Sequence, residues 1–221
     1  MDIAMTVKPL FIQLKVFTGC RDSGAVVAAF RESGIPSAIY ESATDPLGVG
    51  VVVACRDPDE LLDRVAPVLR SQAFRSLESC HSLTMTGRTY LIGYEHDVEA
   101  TLINRPLEKL LAPLFRWAIW YPLRRSGAFE RISQDEQRVA MREHGAAGAE
   151  FAKTGTAHDI RLSCHGLDAN DNDFVIGIVG PELAPLSELV ERMRKTVQTS
   201  MYLEKLGPFF VGRVLWQASA P

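Results

Sequence analysis

An α+β architecture follows from three observations. Strand-like and helix-like stretches alternate in the order β-α-β-β-α-β, that order occurs twice, and a polar, proline-containing connection around residues 95–113 separates the two runs. Two such units pairing sheet to sheet form a closed or nearly closed barrel with helices outside. The expected organisation is an N-terminal unit of residues 1–100 and a C-terminal unit of residues 101–221. The halves share the order of elements without any repeat of the residues themselves.

In the first half, Phe11, Gln13, Lys15 and Phe17 alternate with Ile12, Leu14 and Val16, a strand closed by Thr18-Gly19. A short helix over Val26 to Arg31 ends at Ser33-Gly34-Ile35-Pro36, and strands follow at Ser37 to Glu41 and Gly48 to Ala54. The second of these is apolar enough to be covered on both faces. Asp57-Pro58-Asp59-Glu60 starts a helix with acids near the positive end of its dipole, and Leu61, Leu62, Val65, Val68 and Leu69 form its buried stripe. Leu83 to Glu95 supplies a fourth strand.

The second half opens on an aromatic strand, Trp117 to Pro122. Ser133 with Glu136 three residues on forms a capping box for a helix. Ile160 to His165 is a strand, Gly166 to Asp173 a turn rich in residues that tolerate a left-handed backbone, and Phe174 to Val179 the returning strand. Pro185 opens a helix whose Leu186, Leu189, Val190, Met193, Val197 and Met201 recur at three-to-four spacing. Gly207-Pro208 ends it, and Phe209 to Trp216 is the last strand.

Bulk properties narrow the function classes. With 221 residues, 47% of them hydrophobic and 23% charged, the chain buries one large core or two smaller ones that share an interface. A formal net charge of −3 gives no general drive toward nucleic acid or an anionic membrane surface. The N-terminal residues lack the apolar core of a leader peptide and no apolar run approaches the length of a membrane span, so a cytoplasmic address and no membrane insertion are expected. Cys20, Cys55, Cys80 and Cys164 lie far apart without a C-x-x-C pair and read as small buried hydrophobes.

The chemistry concentrates between Tyr121 and Asp173. Ala140, His144, Ala147 and Phe151 fall on one stripe of the Ser133 helix, so His144 points toward the core. Gly145, Ala146, Ala147, Gly148 and Ala149 are all small, which lets a bulky flat object approach closely. A macrocycle held by a neutral histidine on its iron fits that pattern; so does a core histidine satisfied by a carbonyl. On the next strand Asp159, Arg161, Ser163 and His165 share one face. Turned to a pocket, Arg161 bonds an anionic or peroxidic ligand and Asp159 moves a proton; turned outward, the same face is a solvated strand edge. Tyr121 is a core aromatic or a redox group beside a cofactor, and Arg124 and Arg125 suit carboxylates or solvent. Asp168 to Asp173 lacks the central glycine of a calcium loop, and Val179 stands where its last ligand belongs. Gly48-Val49-Gly50 lacks the third glycine of a dinucleotide loop, and no G-x-S-x-G elbow is present.

Trp120-Tyr121-Pro122 with Arg125, Glu143-His144-Gly145, Gly166-Leu167-Asp168, Asp173-Phe174, Met193-Arg194-Lys195-Thr196 and Gly207-Pro208-Phe209-Phe210-Val211-Gly212, taken in order, resemble the chlorite dismutase family, which includes the coprohaem decarboxylases. The likeness covers roughly residues 117 to 215. It implies two ferredoxin-like units in a dimeric α+β barrel, haem b or coprohaem in the C-terminal unit, and assembly as a homo-oligomer, usually a pentamer. It further implies His144 as the iron ligand, Gly148 close to the macrocycle, Tyr121 as an oxidisable relay, Asp159 and Arg161 on the distal side, and Arg124 or Arg125 near propionates. Asp159 occupies the place of an arginine in chlorite-degrading members and a glutamine in many decarboxylases. Val179 is matched to the acid that hydrogen-bonds the iron-bound histidine in chlorite-degrading members, and its loss implies a less electron-donating imidazole. Both departures point away from chlorite and toward peroxide-dependent decarboxylation of coprohaem, with a peroxidase-like or chlorite-degrading enzyme, or a non-catalytic haem-binding or transfer module, as the alternatives.

Overall fold

The structure is a computed structural model and describes residues 7–93 and 95–219. Residues 1–6, which entered the reading of the N-terminus, and residue 94, inside the expected fourth strand, lie outside the described residues. The first half runs β1 (Phe11–Thr18), α1 (Ser23–Ser33), β2 (Ser37–Ser42), β3 (Val49–Cys55), a π-helical turn (Leu61–Val65) leading into α2 (Ala66–Leu69), a two-residue β4 (Glu78–Ser79) and β5 (Met85–Arg88). A second π-helical turn (Ala100–Asn104) leads into α3 (Arg105–Leu110). The second half comprises β6 (Trp117–Arg125), α4 (Gly127–Arg131), α5 (Gln134–Thr154), β7 (His158–Ser163), β8 (Phe174–Gly180), α6 (Leu183–Arg194), α7 (Val197–Tyr202), β9 (Leu203–Leu206) and β10 (Phe210–Gln217).

All pairings are antiparallel. The strand order β10-β2-β3-β1-β5-β7-β8-β6 returns to its start because β10 also pairs with β6, with Phe210 opposite Trp120. This is the ferredoxin-like α+β barrel that the order of elements predicts. The halves meet along two seams of unequal strength. The β2–β10 seam runs from Ala38 to Ser42, whereas the β5–β7 seam is one pair, Arg88 opposite Ser163.

Alternation along each strand builds two cores from one sheet. Inward residues such as Ile12, Leu14, Tyr40, Val52, Trp120, Ile160, Leu162 and Phe210 fill the barrel. Outward residues of the first half (Phe17, Ile39, Val51, Val53) lie under α1 and α2 with Phe30 and Phe74. Those of the second half (Ile119, Tyr121, Leu123, Ile178) lie under the α5 and α6 layer. Cys55 and Cys164 are buried and Cys20 and Cys80 partly so; all four are free thiols, and burial pushes Cys55 up to about 11 and Cys164 up to about 12.

Three expectations are corrected. The strand expected over Leu83 to Glu95 is only Met85–Arg88, because Thr89 turns inward to accept from the Leu10 amide and donate to the Leu102 carbonyl. The helix opened near Pro185 stops at Arg194 and restarts at Val197; Val197 and Met201, which extend its apolar stripe in sequence, are 40% and 67% exposed. The connection around 95–113, read in sequence as a polar link, also supplies core, since Leu102, Ile103, Leu107, Leu110 and Leu111 pack into the interior cluster.

Gly177, opposite Trp120 in the ladder, leaves room for the indole; a Cβ there would stand 2.6 Å from two ring carbons. Gly177→Ala is expected to destabilise the protein by about 1–3 kcal/mol through overpacking, read as a lower midpoint in urea unfolding at unchanged slope.

Candidate functional site

Between α5, α6 and α7 on one side and the outer face of β6, β7 and β8 on the other lies a cavity of about 430 Å³. Its sheet wall follows from parity. Trp120 and Ile160 point into the barrel, so Tyr121, Asp159 and Arg161 point out, beside Ile176 and Ile178 of β8. Asp159 and Arg161, the half of this polar face that β7 carries to the site and whose direction the sequence left open, are thus turned to the cavity.

The helical wall is built by α5. Its capping box forms, with the Ser133 side chain accepting from Glu136 N–H and the Glu136 carboxylate accepting from Ser133 N–H at 2.9 Å. Gly155, at φ +72°, ends it with a left-handed cap. Ala140 and Ala147 pack inward, while Gly145, Gly148, Ala149 and Ala152 face the cavity beside His144. A Cβ at Gly145 would meet nothing within 4 Å, whereas one at Gly148 would come within 3.2 Å of Met193 Cε on α6. Gly145 therefore leaves cavity space and Gly148 also lets α5 and α6 approach.

His144 is held from α6 and α7. Its Nδ1 lies 3.1 Å from Thr196 Oγ1, and the neighbouring Glu143 carboxylate accepts from Val197 N–H at 2.9 Å. Among the described residues Nε2 makes no hydrogen bond. Burial, reinforced by the Arg125 and Arg161 guanidiniums, lowers the imidazole below its ordinary value against the opposing pull of Asp159 and Glu143. The ring is neutral at neutral pH, the state a metal ligand requires.

Across the cavity, Asp159 Oδ2 pairs with Arg161 Nε at 3.1 Å. Lys109 on α3 donates to the Asp159 backbone carbonyl at 2.5 Å and lies 3.4 Å from its carboxylate. Burial raises the Asp159 carboxyl, but Arg161 and Lys109 outweigh it and hold the group below the usual carboxylate range. An ionised Asp159 is a weak base and a strong anchor for Arg161. Burial, assisted by Asp159 and opposed by Arg194, raises the Tyr121 phenol well above its ordinary value, so it stays protonated. Its ring packs on Phe209 with centroids 4.9 Å apart.

His144, Gly148, Tyr121, Asp159 and Arg161 thus line one space, and two of the sequence candidates do not. Arg124 faces outward to Asp171 at 2.8 Å and Glu204 at 3.8 Å. Arg125 is stacked between Phe129 and Phe174, each centroid 4.6 Å away, and donates to Met141 Sδ. Arg105 of α3 and Arg194 of α6 line the cavity instead. Sequence reasoning missed Arg105, Lys109 and Thr196; the four-residue spacing of Arg105 and Lys109 was the available signal for a shared face. The match of Val179 to a histidine-bonding acid is also corrected. Val179 points into the barrel, one residue out of phase with Ile178, and cannot reach the layer that holds His144.

The fold and site define a ferredoxin-like barrel with a cavity lined by His144 under its C-terminal helices. A family model for chlorite dismutase matches residues 48–215, and the chain belongs to that family. Among solved structures it is similar to a heme-binding protein from Thermus thermophilus, with a TM-score of 0.74 at 19% identity over 95% of this chain and 92% of that one. It is also similar to the chlorite dismutase of Candidatus Nitrospira defluvii in complex with imidazole, with a TM-score of 0.71 at 17% identity, covering 96% and 93% of the two chains. No protein of curated function matches at the sequence level.

The lowered His144 value has a definite sign. Between the folded value and the ordinary 6.5 the unfolded chain binds more protons, so this contribution to stability is whole above pH 6.5 and is lost as pH falls through the folded value. His144→Ala is expected to flatten that part of the acid limb, measured by urea unfolding from pH 7.5 downward.

Proposed function

We propose that the protein binds haem b or coprohaem in the α5–β7 cavity and acts as a peroxide-using oxidoreductase, most concretely by decarboxylating coprohaem. The observation that carries this reading is His144, a neutral imidazole whose Nε2 makes no hydrogen bond among the described residues, on the wall of a largely apolar cavity. The residues fit the group. Open space over Gly145 accommodates a flat ring against α5, and His144 would bind the iron. Arg105 and Arg194 would take the propionates that the sequence reading gave to Arg124 and Arg125. Membership of the chlorite dismutase family and likeness to a heme-binding protein support the same assignment.

When bound, the iron porphyrin supplies the redox chemistry with peroxide. The chain orients and protects. Arg161, fixed by Asp159 at 3.1 Å, presents a donor to a peroxidic oxygen. Tyr121 offers a protonated, buried phenol able to give up a proton and an electron together. For each propionic acid group removed, one peroxide is consumed and a vinyl group, one carbon dioxide and two waters are formed, so coprohaem is both substrate and cofactor. Pairing of Arg161 with Asp159 weakens its pull on an oxychlorine anion, which makes chlorite degradation the second reading. A homo-oligomer, a pentamer by resemblance, and a cytoplasmic address belong to the same proposal; no helix among the described residues is long and apolar enough to cross a membrane.

Titration with haem b and with coprohaem should give a histidine-ligated Soret band in each case that His144→Ala abolishes, and absence of any band overturns the haem reading. Peroxide added to the coprohaem complex should lower the porphyrin mass by two carboxyl groups, slowed at least about tenfold in Tyr121→Phe. An unchanged mass leaves haem binding without decarboxylation, and oxygen release from chlorite would bring the second reading forward. Sedimentation of the purified chain should show an assembly, with a pentamer expected and a monomer ruling that part out.

A further inference from the structure

Thr196 stands at the break between α6 and α7, extended at φ −72° and ψ 151°, and only 4% of it is exposed. Its hydroxyl has one proton and two lone pairs. Met193 carbonyl takes that proton at 2.8 Å, with Thr199 Oγ1 at 3.3 Å as the other acceptor. What faces His144 Nδ1 at 3.1 Å is then a lone pair, and Nδ1 must be the donor. In a neutral ring that leaves the lone pair of Nε2 unprotonated.

We infer that Thr196 is a positioning residue that fixes His144 as the Nδ1–H tautomer, and so presents Nε2 as the metal-binding atom; the inference rests on the haem reading and adds to it the group that sets the ligand. The helix break is what makes this possible. The extended backbone at 196 turns the hydroxyl to α5, and the Glu143 carboxylate on Val197 N–H fixes the start of α7 beside it. Because the acceptor is a neutral hydroxyl that already donates elsewhere, it draws less on the N–H than a carboxylate does. The ligand keeps the character of a neutral imidazole rather than moving toward imidazolate. Ser200, which bonds the Thr196 carbonyl through its hydroxyl at 2.9 Å, adds a second tie on the same residue.

The test compares the full chain with Thr196→Val, which keeps the shape and removes the acceptor, and Thr196→Ser, which restores it. Nitrogen-15 NMR without porphyrin, at pH 7.5, should report Nδ1–H at His144 in the parent and in T196S, and a shift toward Nε2–H in T196V. Added haem b should bind T196V on the order of tenfold more weakly than the parent, with T196S recovering most of the loss. An Nε2–H ring in the parent, an Nδ1–H ring that persists in T196V, or failure of T196S to recover overturns the inference. The tautomer spectra need no porphyrin, so a parent protein that shows Nδ1–H and yet binds no haem b would instead sink the haem reading. Circular dichroism of T196V separates a lost hydrogen bond from a lost fold, and an unfolded T196V moves the decision to T196S and the parent spectrum.

Discussion

Every other feature depends on closure of the sheet through β10, which pairs with β2 on one edge and β6 on the other. Closure turns one sheet into two kinds of surface, an interior filled by its own side chains and an exterior that needs cover. With helices over both halves of that exterior, apolar strand residues of either parity are buried, while the Asp159 and Arg161 side chains, 35% and 49% exposed, line the open cavity. Asp159 and Arg161 satisfy each other, with Lys109 as the third member. The cavity exists because α5 meets this outer face with Gly145, Gly148, Ala149 and Ala152 where it could have met it with larger side chains.

Much of the fold was legible because its signals are local. The alternation of β1, the capping box at Ser133 and the left-handed Gly155 each act within a few residues, and the elements stand where those residues put them. The misreadings occur where distant contacts decide. Three-to-four spacing continues from Leu186 to Met201, but the backbone breaks at Thr196 and the last two apolar residues are left exposed. Thr89 ends its strand early because Leu10 and Leu102, far away in sequence, occupy its hydroxyl.

The site divides in the same way. His144 and its small neighbours were visible because helical periodicity places them on one face. Period two showed that Asp159 and Arg161 share a face, yet it is silent on whether water or a helix covers that face. The same parity shows why matching by position failed at Val179. A shift of one residue carries a side chain from the layer beside His144 into the barrel. Thr196 reaches the site from a helix break that no spacing announces, and the four-residue spacing of Arg105 and Lys109 shows a shared face of α3 without showing that it meets β7.

The β5–β7 seam has a consequence for how such a barrel diversifies. With a single paired residue across it, the strand that carries Asp159 and Arg161 is held on that side by a lysine side chain and by apolar packing of α3 more than by the ladder. The backbone of β7 answers to the sheet through β8 and to an exchangeable side chain through Lys109. The wall that carries Asp159 and Arg161 is therefore the part of the ring least constrained by ring closure. Inheritance could rewrite its chemistry there while the β2–β10 seam, and with it the architecture, stayed as it was.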